Sequence, residues 1–80
     1  MEKRYKILLS TIDRVKSFID ITSVCNDVTL DIANGNHVVD GKSILGIFSL
    51  NITGPLELII RGDNEDVINN TFDKLKSFEA

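Results

Sequence analysis

Ala33-Asn34-Gly35-Asn36-His37-Val38-Val39-Asp40-Gly41-Lys42-Ser43-Ile44-Leu45-Gly46-Ile47-Phe48 reads as a hairpin running into a short helix, and the rest of the chain can be read outward from it. Just upstream, Asp27-Val28-Thr29-Leu30-Asp31-Ile32 alternates polar and apolar residues, the pattern of a half-buried strand. Asn34-Gly35 follows at once. Asn-Gly between extended segments predicts a type I′ turn, because both residues tolerate positive φ, and the returning strand is then Asn36 to about Val39. After Asp40-Gly41-Lys42, Ser43 precedes an apolar stretch too short for a helix of average length. This predicts a one- or two-turn helix capped by Ser43 or starting close to it.

Working toward the N-terminus, Tyr5-Lys6-Ile7-Leu8-Leu9 is short and rich in strand formers, which predicts a first strand ending at Ser10 or Thr11. Val15, Phe18, Ile19 and Thr22 then recur at helical spacing, with Asp13, Arg14, Lys16, Ser17 and Asp20 on the opposite face. Toward the C-terminus, Leu56-Glu57-Leu58-Ile59-Ile60 predicts a fourth strand. Asp63 or Asn64 then caps a closing helix with Glu65 and Asp66 in its first turn and Ile68, Phe72 and Leu75 on one stripe. The order β-α-β-β-α-β-α, with one tight hairpin, implies an α+β fold: a four-stranded, mainly antiparallel sheet with three helices packed on one face.

Eighty residues of which 42% are hydrophobic suffice for one compact domain, residues 1–80, and are too few for two. Four Phe, one Tyr and no Trp leave the core to Ile, Leu and Val. A net charge of −3 with scattered acidic residues argues against nucleic acid or an anionic membrane as the main partner. Lys3, Arg4 and Lys6 form a solvated strand face, since phosphate binding recruits a larger patch. No apolar run resembles a signal peptide or a membrane span, so a reducing cytoplasm is the expected location. The lone Cys25 is expected to pack as a small hydrophobe. The chain has no Ser-His-Asp or Cys-His constellation, no phosphate-cradling glycine loop and no metal-ligand cluster, so neither an enzyme nor a cofactor is indicated. Arg61-Gly62-Asp63 supplies turn and cap residues, and the sequons at Asn51 and Asn69 carry no meaning without secretion.

The stretch from Ala33 to Phe48, its continuation through Ser49-Leu50-Asn51-Ile52, the strand Leu56 to Ile60 and the acidic helix start at Gly62 to Asp66 resemble the histidine-containing phosphocarrier (HPr) family of the bacterial phosphotransferase system. The resemblance implies an open-faced β-sandwich. In that family a Gly-aliphatic-His-x-Arg-Pro-type motif, at the junction of the first strand and first helix, carries phosphate from a phosphoenolpyruvate-dependent kinase to sugar transporters. Here the junction reads Leu9-Ser10-Thr11-Ile12-Asp13-Arg14-Val15-Lys16 and has no Gly, Pro or His. Placing Arg14 on the motif's arginine puts Ile12 at the histidine position, whereas alignment back from Phe18 puts Thr11 there. Neither side chain offers a nucleophilic ring nitrogen. His37, beyond the hairpin turn, is expected to be an exposed strand residue.

A second family feature is retained. In HPr proteins of many Gram-positive bacteria, the serine of a Lys-Ser-Ile-type segment is phosphorylated by an ATP-dependent HPr kinase, and the product binds a transcriptional regulator. Ser43 occupies that position, and a phosphate there would place about two negative charges beside free helix-start amides. The same serine serves equally as a plain helix cap. Ile44, Leu45 and Phe48 match the family's exposed contact patch, with Arg14 and Lys42 as further partner-binding residues. Gly41, where a larger residue is usual, is expected to loosen the local geometry. The resemblance thus implies a regulatory, protein-binding relative comparable to the catabolite-repression paralogue, which lacks the histidine and keeps the serine. Its alternative is an unphosphorylated scaffold or competitor for phosphotransferase-system proteins.

Overall fold

In the computed structural model, which describes residues 1–80, the elements are β1 (Glu2–Ile7), α1 (Ile12–Thr22), β2 (Thr29–Asn34), β3 (His37–Asp40), α2 (Ile44–Phe48), β4 (Leu56–Arg61) and α3 (Glu65–Leu75), followed by a 3-10 turn at Lys76–Phe78. The strands form one sheet in the order β1-β4-β2-β3, antiparallel at every pairing. The fold is therefore the α+β open-faced sandwich expected from the sequence.

One sheet face carries Ile7, Leu30, Ile32, Leu56, Leu58 and Ile60 into a single core with Val15 and Phe18 of α1, Ile47 of α2 and Ile68, Phe72 and Leu75 of α3. Each such side chain contributes about 1.5–3 kcal/mol over leaving it exposed. Tyr5 stacks on Phe72 with ring centroids 3.7 Å apart. Desolvation raises the Tyr5 phenol above its ordinary pKa, helped by the charges of Asp73 and Glu65. The helices begin where side chains replace missing backbone partners: Thr11 accepts from Arg14 N–H, Ser43 from Gly46 N–H and Asn64 from Val67 N–H. Of the two caps weighed for the closing helix, Asn64 is the one used.

The opposite sheet face has no helix, yet Ile59 on it is only 4% exposed. Its cover is ionic. Arg4 and Arg61 flank it, Arg4 binding Glu2 at 3.0 Å and Glu57 at 2.6 Å, and Arg61 binding Glu2 at 3.0 Å and Asp31. The Arg4 hydrogen bond is the main cause of a Glu2 carboxyl held below the ordinary range; Arg61 adds to it against some desolvation.

These pairs explain the first departure from the sequence reading. The first strand runs over Glu2–Ile7 rather than from Tyr5 to Ser10 or Thr11, because charged Glu2 and Arg4 are satisfied on the open face and the ladder with β4 ends at Ile7↔Leu56. The second strand starts at Thr29 rather than Asp27, opposite Arg61, the last residue of β4. The hairpin also differs. Asn34 pairs with His37, so Gly35 and Asn36 form the turn. Only Gly35 takes positive φ, at 62°, which is the type II′ pattern rather than type I′.

Gly41 tightens the fold where a loosening was expected. Its N–H donates to Leu30 O at 2.7 Å, and a Cβ would lie 3.0 Å from Leu30 Cβ and 3.1 Å from Leu30 O. Neither atom can yield without moving β2. Gly41→Ala is accordingly expected to destabilise by about 1–3 kcal/mol, read as a lower denaturant midpoint at unchanged m-value. The Glu2 pairs contribute above the ordinary carboxylate range and are lost as pH falls through the depressed Glu2 value. Thermal melts at falling pH should show wild type losing more of its neutral-pH stability than Glu2→Gln does.

Candidate functional site

Two features carry the residues singled out in the sequence: the junction of β1 with α1, and the start of α2, which lies beside the C-terminal end of α1. At the first, β1 leaves the sheet after Ile7. Leu9 is fully buried, so the chain must turn sharply to begin α1. It does so at Ser10, the one non-glycine residue with positive φ, at 60°. Thr11 N–H donates to Leu9 O at 2.7 Å and Ser10 N–H to Ile52 O at 2.9 Å, closing the turn and tying it to the loop after α2. A left-handed serine costs about 1–2 kcal/mol.

Of the two positions aligned with the family histidine, Thr11 is the helix N-cap, its Oγ1 3.2 Å from Arg14 N. Ile12 is the first helical residue and 59% exposed. Arg14, a half-buried residue, turns back on the junction. Its Nη2 donates to Leu8 O at 2.8 Å and Ser77 O at 3.3 Å, its Nε donates to Leu8 O at 3.3 Å, and its guanidinium lies 4.8 Å from the Phe78 ring centroid. The involvement of Ser77 and Phe78 had no local signal in the sequence beyond an apolar residue following the last helix.

At the second feature Ser43 Oγ accepts from Gly46 N–H at 3.1 Å. Leu45 is 80% exposed and Phe48 39% exposed, while Ile47 between them is buried and Ile44 is partly buried. The short helix thus seats one apolar side chain, Ile47, fully in the core and offers two others to solvent. Lys42 is drawn inward: its Nζ donates to Cys25 O at 2.6 Å and Val28 O at 3.2 Å, pinning the loop between α1 and β2. Cys25 is buried, with its Sγ donating to Ile21 O at 3.3 Å. His37 is the exposed first residue of β3.

No three His, Cys, Asp or Glu side chains converge in metal-ligating geometry, and no helix is long and apolar enough to cross a membrane. The widest surface depression, about 560 Å³ between Met1, Asp27, Arg61 and Asp63, lies at the other end of β1 and touches neither Thr11 nor Ser43.

No family model matches the sequence, and no curated protein matches it. Among solved structures, HPr-C-His from Thermoanaerobacter tengcongensis superposes with a TM-score of 0.67, covering 96% of this chain and 92% of that chain at 22% sequence identity. The chain therefore has the fold of an HPr protein.

Relief of the Ser10 backbone is expected to outweigh the added freedom of the unfolded chain. Ser10→Gly should stabilise by about 0.5–1 kcal/mol, measured by thermal and denaturant unfolding. A lower stability would show that the Ser10 side chain holds the turn.

Proposed function

We propose that this protein is a regulatory relative of the HPr phosphocarriers that binds proteins of the phosphotransferase system, does not carry phosphate on histidine, and is switched by phosphorylation of Ser43. The observation that carries the reading is the start of α1. On an HPr fold, the residues there are Thr11 and Ile12, and the chain's sole histidine, His37, sits beside the hairpin turn. Phosphoryl transfer through an imidazole has no nucleophile at this position.

Protein binding is supported by the exposed Leu45 and Phe48 close to Ser43, with Ile12 as a third exposed apolar residue. Arg14 and Lys42 contribute to this surface chiefly by holding its backbone, since their cationic groups are spent on carbonyls. A partner would then be gripped by apolar burial, with phosphoserine adding charge at the rim. On this reading the protein works in a bacterial cytoplasm, its partners are phosphotransferase-system components, an HPr kinase and a transcriptional regulator, and it is not itself an enzyme.

The unmodified scaffold is favoured by one contact: Ser43 Oγ already has a role, accepting Gly46 N–H. The two readings separate on intact mass after incubation with ATP and a bacterial HPr kinase. One added phosphate, mapped to Ser43 and absent from Ser43→Ala, is the expected result. No phosphate under conditions that label an authentic HPr would leave Ser43 a helix cap and the protein an unmodified binding module.

A further inference from the structure

The Arg14 side chain reaches out of its own helix to the far end of the chain, at Ser77 and Phe78. Ser77–Ala80 lies along the outer edge of β1, where Leu8 N–H donates to Phe78 O at 2.8 Å and Ala80 N–H donates to Lys6 O at 2.9 Å. Ile7 and Glu79 form an isolated antiparallel bridge between these bonds. The segment is a strand stub that closes part of an otherwise free sheet edge. Phe78 anchors it, 3% exposed and set edge-on against Phe18 of α1 with centroids 5.4 Å apart.

We propose that Arg14 is a catch that couples docking of Ser77–Ala80 to the first turn of α1. One guanidinium bridges the two parts: Nη2 reaches both Leu8 O, at the exit of β1, and Ser77 O, and the ion lies over the Phe78 ring. Backbone carbonyls that accept from a charged donor are held more strongly than by neutral donors. The catch sits beside the one residue of the junction in a costly conformation, Ser10, so the turn has a more relaxed backbone to move to when it is released. A partner that draws Phe78 off the β1 edge therefore frees the guanidinium and loosens the start of α1. By thermodynamic reciprocity, an anion or acidic side chain that captures Arg14 loosens the segment. This device goes beyond the proposed binding role and does not require Ser43 to be modified.

The test is residue-resolved amide hydrogen exchange on the whole chain, comparing wild type with Arg14→Met and Phe78→Leu. Arg14→Met keeps the apolar stem and removes the charge. It should speed exchange at Leu8 and Ala80 about tenfold, the loss expected from removing one charged hydrogen bond. Phe78→Leu keeps an apolar anchor without the ring. It should speed exchange at Thr11 and shift the Arg14 Nε–H resonance, while amides in the β2–β4 ladder stay protected. Wild-type exchange at Leu8 and Ala80 in Arg14→Met would overturn the proposal. So would an increase shared equally by the β2–β4 ladder, which marks general destabilisation. If Phe78→Leu does not fold, Ala80→Pro removes the N–H given to Lys6, following a Glu79 that already has the extended backbone a residue before proline adopts, and keeps the reciprocal reading at Thr11.

Discussion

Strand β4 is hydrogen-bonded to β1 from Leu56 to Arg61 on one edge and to β2 from Glu57 to Arg61 on the other, and every other element takes its place from these two ladders. Leu58 and Ile60 point into the core, and Ile59 points away from it beneath the Arg4 and Arg61 side chains. A strand buried on both faces reads as a nearly continuous apolar run, as Leu56-Glu57-Leu58-Ile59-Ile60 does. The register with β1 delivers Leu8–Thr11 to the start of α1. The register with β2 carries the hairpin, and with it Gly41 and the Ser43 cap.

The elements were legible in the sequence because each carries its own period and its own punctuation. Val15, Phe18 and Thr22 mark one helix, Ile68, Phe72 and Leu75 another, and Ser43 caps the short helix as its position suggested. Their limits were less legible, since strands stop where partners stop. Glu2 and Arg4 have weak strand propensity and join β1 because Arg61 lies across from Glu2 and Glu57 lies diagonally from Arg4, each pairing with its charge. The hairpin slipped by one residue from the Asn-Gly expectation for a similar reason. Pairing Ile32 with Val39 keeps both on the core side of the sheet, so register outranks turn chemistry.

The site was legible in part. That the junction lacks an imidazole is plain from the letters alone, and an HPr architecture at 22% identity leaves chemistry to be decided by those residues rather than by the fold. What the letters hid are contacts between residues far apart in the chain. Ser77 lies 63 positions from Arg14, and nothing local says that an arginine one turn into a helix will be spent there. Lys42, whose ammonium reaches back 17 residues to Cys25 O, is the same case. In both, a residue that looks available for a partner is spent on backbone carbonyls: Arg14 holds the β1–α1 junction to the C-terminal segment, and Lys42 holds the start of α2 to the loop after α1.

The Glu2–Arg61 pairing has one more consequence, for how the chain reaches this state. Its partners are separated by 59 residues, and the other segment that pairs with β1, Ser77–Ala80, comes later still. A chain emerging from the ribosome therefore presents β1 long before β4 exists, and α1 and the β2–β3 hairpin are the units able to form early. Closure of the sheet waits for β4, Leu56–Arg61. Folding speed is then governed by loop closure around β1 rather than by helix formation, and the charged alternation of Glu2, Arg4 and Lys6 discourages the waiting strand from pairing with a stranger.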